Sequence, residues 1–121
     1  MIINFDVPLD SNHQNALIRA NVLRDDEMRE LGFTDKVEST WYLCKKVSDD
    51  ITFNVFINKR TAAVKIEVLD EAFLQHFDYQ EQIRRGRNDK YIVAIHDKVQ
   101  NHMAWLMRNR IIEGYRLGDY I

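Results

Sequence analysis

The chain has 121 residues, of which 45% are apolar, 30% charged and 11% aromatic. This composition excludes a disordered chain and is typical of one globular domain, which we expect to span residues 1–121. A formal net charge of −2 argues against the strongly basic balance of most nucleic-acid-binding domains. No apolar run approaches the ~20 residues of a membrane span, and no secretory signal begins the chain. We therefore expect a cytoplasmic location without membrane contact.

The N-terminal part of the chain predicts a short strand followed by a helical segment. Residues 3–7 alternate between apolar and polar side chains, as in a half-buried strand. Residues 11–14, which read SNHQ, match a capping box, and apolar residues follow at helical spacing. Gly32 suits the left-handed position after a helix, and the next residue would then pack on Met28. Whether residues 12–31 form one helix or two stays open.

Three strands are predicted next, over residues 40–47, 51–58 and 62–69. Apolar and polar side chains alternate along each strand, and the two connections have hairpin length. A period of two indicates an antiparallel meander with one buried face. Tyr42 and Phe56 fall on the opposite, outer face of this sheet.

A long C-terminal helix is predicted to cover the buried face of the sheet. Asp89 suits the N-cap, the helix continues through Glu113, and Gly114 suits the position after it. A shorter helix over 73–85 would end at Gly86. Five apolar residues of the long helix form one stripe about 60° wide: Ile92, Ile95, Val99, Met103 and Leu106. The predicted fold class is therefore α+β, a three- to four-stranded antiparallel meander with this helix on one face and an N-terminal helical segment.

Aromatic side chains outside the predicted core form the leading candidate site. Tyrosine and tryptophan commonly anchor protein interfaces, because they bury a large apolar area and also carry a polar group. The candidates for partner binding are Tyr42, Phe56, Trp105, Tyr115 and Tyr120. Their partner would be another protein or a second copy of this chain. The structural alternative is that the N-terminal helix covers the outer sheet face and the C-terminal tail folds over an open edge.

A basic cluster before the long helix is the second candidate site. It contains Arg84, Arg85, Arg87 and Lys90, and the amides and dipole of a helix N-terminus favour anions. Nucleic acid or an acidic partner could bind there. Asp89 opposes this interpretation, because its carboxylate would occupy the same helix end. The structural alternative is a solvated turn.

No arrangement of residues indicates catalysis, a metal site or a cofactor. His96 and His102 are six residues apart on one predicted helix, about 120° around its axis, and cannot share a metal without further ligands. Cys44 is the single cysteine, which excludes an internal disulfide, and the sequence supplies it with neither a base nor an oxyanion site. We therefore expect a non-enzymatic protein with no catalytic residue, no metal and no cofactor.

Three segments carry a resemblance in style to a known group of proteins. Residues 28–33 read MRELGF, residues 68–73 read VLDEAF with FDY after them at 77–79, and residues 114–121 read GYRLGDYI. Together they resemble small, mostly uncharacterised proteins encoded by phages and prophages of Gram-positive bacteria. The resemblance implies no activity and transfers no functional residue. It implies a short protein that binds a host factor or a defence complex, as anti-CRISPR and other anti-defence proteins do.

Overall fold

The computed structural model describes residues 18–21, 23–86 and 90–121, which form a four-stranded sheet, a two-stranded sheet and three helices. The elements are, in chain order, β1 (Arg19–Ala20), α1 (Asp25–Glu30), β2 (Thr40–Lys46), β3 (Ile51–Asn58), β4 (Val64–Asp70), β5 (Gln75–His76), α2 (Tyr79–Arg84), α3 (Lys90–Arg108) and β6 (Ile112–Glu113). The predicted α+β class with an antiparallel meander is confirmed.

The larger sheet has the strand order β2-β3-β4-β5, and all of its pairs are antiparallel. Its inner face carries the alternate apolar residues, and the fully buried Phe53 stacks on His102 of α3 at 5.2 Å between ring centroids. The predicted stripe of α3 is confirmed, because the same five residues are the buried ones of this helix. Each such side chain contributes roughly 1.5–3 kcal/mol on burial, so this layer dominates the stability.

The end of the long helix differs from the prediction, because α3 stops at Arg108 instead of continuing through Glu113. Arg110 adopts a left-handed conformation with φ of 61°, and the Ile111 amide donates to the Leu106 carbonyl at 2.9 Å. This bond closes a Schellman motif, which ends the helix. The residues that follow form β6, which pairs with β1.

The predicted helix over residues 73–85 is confirmed only in its second half, which is α2. The first half forms a turn and β5, because the Asp70 carboxylate accepts hydrogen bonds from the amides of Ala72 and Phe73. Such side-chain bonds to the backbone compete with helix formation. Asp78 then caps α2, and Gly86 follows it with φ of 84°, as predicted.

The N-terminal helical segment is α1, which is much shorter than the predicted range of residues 12–31. Its first turn carries three acidic residues, Asp25, Asp26 and Glu27, which the helix dipole favours. Gly32 has φ of 101°, and the Phe33 amide donates to the Met28 carbonyl at 3.0 Å, which confirms the predicted helix end.

Several sequence predictions concern residues outside the described ranges. They are the strand at 3–7, the capping box at 11–14, the N-cap at Asp89 and the contribution of Arg87. The alternative of one helix over residues 12–31 is wrong, because β1 lies within that range.

No helix of the described ranges is long and apolar enough to cross a lipid bilayer.

Candidate interaction surface

The outer face of the four-stranded sheet carries an aromatic pair. Tyr42 and Phe56 lie opposite each other on β2 and β3, and their ring centroids are 4.9 Å apart. Cross-strand aromatic pairs stabilise a sheet by roughly 0.2–1 kcal/mol, so the pair has a structural role of its own. Both rings nevertheless remain partly exposed. The structure therefore places these two predicted partner contacts together.

A chain of hydrogen bonds extends from the aromatic pair along the outer face. The Tyr42 hydroxyl donates to Asn54 Oδ1 at 2.5 Å, and Asn54 Nδ2 donates to Thr52 Oγ1 at 2.9 Å. The Thr52 hydroxyl then donates to Glu71 Oε2 at 2.5 Å. Asn54 is fully buried, and each donor points towards the carboxylate, so the bonds polarise one another. This chain fastens the connection between β4 and β5 to the outer face.

The phenol of Tyr42 stays protonated and therefore remains a donor in this chain. Burial, with smaller contributions from Cys44 and the Glu71 charge, raises the pKa of Tyr42 to about 12. The neutral form consequently persists throughout the physiological pH range. The hydrogen-bond chain does not switch with pH in that range.

Residues 71–74, between β4 and β5, form what we call the apolar turn. It presents Phe73 and Leu74, which are 73% and 84% exposed, the highest values among the large apolar side chains of the described residues. Single exposed apolar residues are ordinary on a protein surface, but two adjacent ones at a hairpin tip form a patch. Leu74 also has φ of 53°, a left-handed backbone that costs a non-glycine residue roughly 1–2 kcal/mol.

The backbone of the apolar turn is fixed from both sides. Asp70 Oδ1 accepts from the amides of Ala72 and Phe73 at 3.0 and 3.3 Å. The Glu71 amide donates to the Asp50 carbonyl at 2.7 Å, which joins this turn to the one between β2 and β3. The exposed side chains are therefore carried on a preorganised backbone, which reduces the entropy lost on binding.

The sequence pattern does not predict the apolar turn, because Phe73 falls within the predicted helix over residues 73–85. The available signal was Asp70, since an aspartate directly after a strand commonly forms a turn by accepting amides two and three residues later. Leu74 gave no signal, because leucine is not a residue that favours a left-handed backbone.

Trp105 lies apart from the aromatic pair. It is partly buried against the core on α3, and Lys45 Nζ lies 6.0 Å from the centroid of its ring. Lys45 belongs to the β2 positions that alternate with Tyr42, so it lies on the other face of the sheet. The structure therefore does not bring Trp105 together with Tyr42 and Phe56.

Tyr115 is part of the internal packing of the C-terminal tail, residues 114–121. It is buried, and its hydroxyl lies 2.9 Å from Gln100 Oε1 and 2.5 Å from the Asp119 carbonyl. Gln100 also accepts from the Gly118 amide at 2.7 Å and donates to the Asp119 carbonyl at 2.9 Å. The glutamine thereby fastens the tail to α3, and the Tyr115 ring is largely inaccessible to a partner.

Tyr120 packs within a second aromatic cluster. Its ring centroid lies 4.8 Å from that of His96 and 5.7 Å from that of the fully buried Tyr79. The Ile121 amide donates to the Tyr79 hydroxyl at 3.2 Å. Burial lowers the pKa of His96, so its neutral form is favoured in the folded chain. Tyr120 is partly exposed but is held by these internal contacts.

The basic cluster is partly neutralised where the structure describes it. Arg84 and Arg85 lie 3.4 and 3.1 Å from the Glu81 carboxylate, and both side chains are largely exposed. Exposed ion pairs of this kind contribute about 0–1 kcal/mol. Lys90 begins α3 and is exposed, whereas Arg87 is outside the described ranges. Two of the four predicted anion contacts therefore share one carboxylate.

The remaining candidates for chemistry are Cys44 and possible metal ligands. Cys44 is exposed on β2, in a strand position without a neighbouring histidine in the register. No group of three or more histidine, cysteine, aspartate or glutamate side chains in the described ranges could hold a metal ion.

Comparison with known proteins adds a likeness in fold. No family model and no curated protein matches the chain. The crystal structure of a DUF1831 family protein from Lactobacillus plantarum is similar, with a TM-score of 0.61 and 11% sequence identity. The match covers 78% of this chain and 82% of that protein. At this identity the likeness shows the fold alone, so the surface features above have to be interpreted from this chain itself.

Proposed function

We propose that this chain is a non-enzymatic protein-interaction module of the cytoplasm, which binds a protein partner through the outer sheet face and the apolar turn. The observation that carries the proposal is the exposure of Phe73 and Leu74 on a fixed backbone. Apolar anchors that enter a pocket of the partner dominate the free energy of most protein interfaces. Exposed anchors of this kind bring no stability to the free chain, so binding is the best explanation for them.

The outer face and the apolar turn are continuous, which gives the proposed surface a realistic size. Phe56 and Thr52 are four residues apart on β3, about 13 Å along the strand. The Thr52 hydroxyl then contacts Glu71, the first residue of the apolar turn. One partner buries ~800 Å² in a standard interface, which requires a continuous surface of this kind.

The resemblance to phage and prophage proteins supports a host factor or a defence complex as the class of partner. A second copy of the chain is the other occupant to test. Nucleic acid or an acidic partner at Arg84, Arg85, Arg87 and Lys90 is the alternative function. It has less support, because Glu81 already pairs with two of these arginines.

The experiment compares capture from a nuclease-treated host lysate by the wild-type chain and by the double variant Phe73→Ser, Leu74→Gly. Leu117→Ser is the matched control, since Leu117 is another exposed leucine, 56% accessible, in the tail. The proposal predicts a stoichiometric protein that the wild type and the control retain and the double variant loses.

Two results would contradict the proposal. The double variant could retain the captured protein while its circular dichroism spectrum and melting temperature match the wild type. Alternatively, all captured protein could disappear on nuclease treatment, which would favour the basic cluster. Sedimentation of the purified chain at several concentrations separates self-association from binding to another protein.

A further inference from the structure

We infer that the apolar turn docks into a cationic surface of its partner, an apolar pocket bordered by lysine or arginine side chains. This inference rests on the proposed function and names the chemistry of the partner. It depends on the carboxylates around the turn, which lie at one end of the four-stranded sheet.

Two connections bring four carboxylates to that end. Asp49 and Asp50 lie between β2 and β3, while Asp70 and Glu71 lie at the end of β4. The pairing of Ile51 with Asp70 places the two connections side by side, and the Glu71 amide donates to the Asp50 carbonyl. The carboxylates therefore surround the base of the turn that carries the two exposed apolar side chains.

These four carboxylates have no ion-pair partner within the part of the chain that the structure describes. Asp35, Glu81 and Asp119 differ, since each lies within 3.5 Å of a lysine or arginine nitrogen, whereas Glu30 and Glu38 resemble the four in having no ion pair among the described residues. Two of the four already accept internal hydrogen bonds, through Asp70 Oδ1 and Glu71 Oε2. Asp49 and Asp50 are exposed and face solvent.

Three ammonium groups lie near this end and reduce its negative charge. Lys98 Nζ donates to the Val47 carbonyl at 2.9 Å, Lys46 pairs with Thr52 on the outer face, and Lys45 is the residue before Lys46 on β2. Four carboxylates against three ammonium groups leave a local excess of one negative charge. An apolar centre with an acidic border matches the usual anatomy of an interface, in which charged residues surround the buried anchors.

The negative charge around the apolar turn indicates which kind of partner binds there. Anionic lipid surfaces repel carboxylates, which disfavours a membrane as the target of the exposed turn. A cationic protein surface is attracted, and complementary charge raises the association rate and fixes the orientation of docking. A second copy offers a poorer match, because Arg84 and Arg85 at the end of α2 already pair with Glu81.

The test uses two synthetic peptides as probes, one with lysines flanking two central leucines and one with glutamates in place of the lysines. Each peptide is titrated into the full isotope-labelled chain while backbone amide shifts are followed. We expect the lysine peptide to shift amides 49–50 and 71–74 and to bind at least about tenfold more tightly. The difference should shrink between about 50 and 500 mM salt, because salt screens exposed charges.

Variants separate the local charge from the net charge of the chain. Asp49→Asn with Asp50→Asn should weaken binding of the lysine peptide about tenfold. Glu30→Gln with Glu38→Gln is the matched control, since both glutamates are exposed and the change in net charge is the same. This control should bind like the wild type, and Phe73→Ser with Leu74→Gly should abolish the shifts at residues 71–74.

Several outcomes would overturn the inference. They are equal binding of both peptides, shifts centred on α1 in place of the turn, no shift at millimolar lysine peptide, and co-sedimentation with vesicles rich in phosphatidylserine. Capture from lysate distinguishes failure of the inferred cationic partner from failure of the proposed interaction function. If the Asp49, Asp50 variant captures the same protein as the wild type and the Phe73, Leu74 variant does not, the interaction module stands without its cationic partner.

Discussion

Replacement of Leu74 by glycine should separate the stability of the chain from its binding. Leu74 has a left-handed backbone and is 84% exposed, so its side chain strains the fold and contributes little to the core. We expect Leu74→Gly to leave the free energy of unfolding unchanged or to raise it, while binding of the partner falls. A residue retained for stability would give the opposite pattern.

The expected magnitude follows from three contributions. Relief of the left-handed strain stabilises the chain by roughly 1–2 kcal/mol. Glycine's greater freedom in the unfolded chain costs about 0.5–1 kcal/mol. The small buried fraction of the leucine side chain contributes about 0.3 kcal/mol, which is lost. The sum is a stabilisation near 0.5 kcal/mol, or about 2 °C in melting temperature for a domain of this size.

Urea unfolding followed by tryptophan fluorescence measures this change, and Leu74→Ala is the matched control. Alanine removes a similar apolar area but keeps the Cβ atom, so it should bind as weakly as glycine without the gain in stability. The difference between the two variants reports the backbone strain. A fall of more than about 1 kcal/mol on Leu74→Gly would refute the reasoning, because the side chain would then belong to the packed structure.

Three further predictions concern the surroundings of the site. Asn54→Ala should lower the free energy of unfolding by about 1–3 kcal/mol in urea titration, because it leaves the partly buried Tyr42 hydroxyl without its acceptor; a loss below about 0.5 kcal/mol would contradict the hydrogen-bond chain. Tyr115→Phe should cost about 1 kcal/mol and leave partner capture unchanged; lost capture would place Tyr115 in the interface. Burial lowers the pKa of His96 and His102, so the free energy of unfolding should be highest above pH 6.5 and should fall as the pH decreases below that value. Melting temperatures measured against pH should fall less steeply for His96→Gln than for the wild type; an equally steep fall would argue against His96 as a contributor.

The strands and the long helix could be predicted from the sequence because each contains several repeats of its side-chain period, which makes the pattern unambiguous. The alternation around Phe53 identified the inner face, and the stripe from Ile92 to Leu106 identified the buried side of α3. The end of α3 could not be predicted, since the chain turns at Arg110, whereas Gly114 has the residue type that usually ends a helix.

The residues of the candidate site could be predicted only where they lie on strands, because the alternation of side chains there shows which face they occupy. Alternation placed Tyr42 and Phe56 on the outer face, and the structure pairs their rings. Tyr115 and Tyr120 could not be distinguished from interface residues, because their internal contacts come from Gln100 and His96, which are remote in the chain. The apolar turn could not be predicted, because it requires a left-handed backbone at Leu74 and leucine does not favour that conformation.

The most direct test of the interaction surface is hydrogen–deuterium exchange of the full chain with and without the captured partner. We predict slower exchange at residues 71–74 and 49–50 and along the outer face around Tyr42 and Phe56, with unchanged exchange in α2. Protection confined to α2 and the residues up to Lys90, with the apolar turn exchanging as in the free chain, would contradict the account and move the interface to the basic cluster.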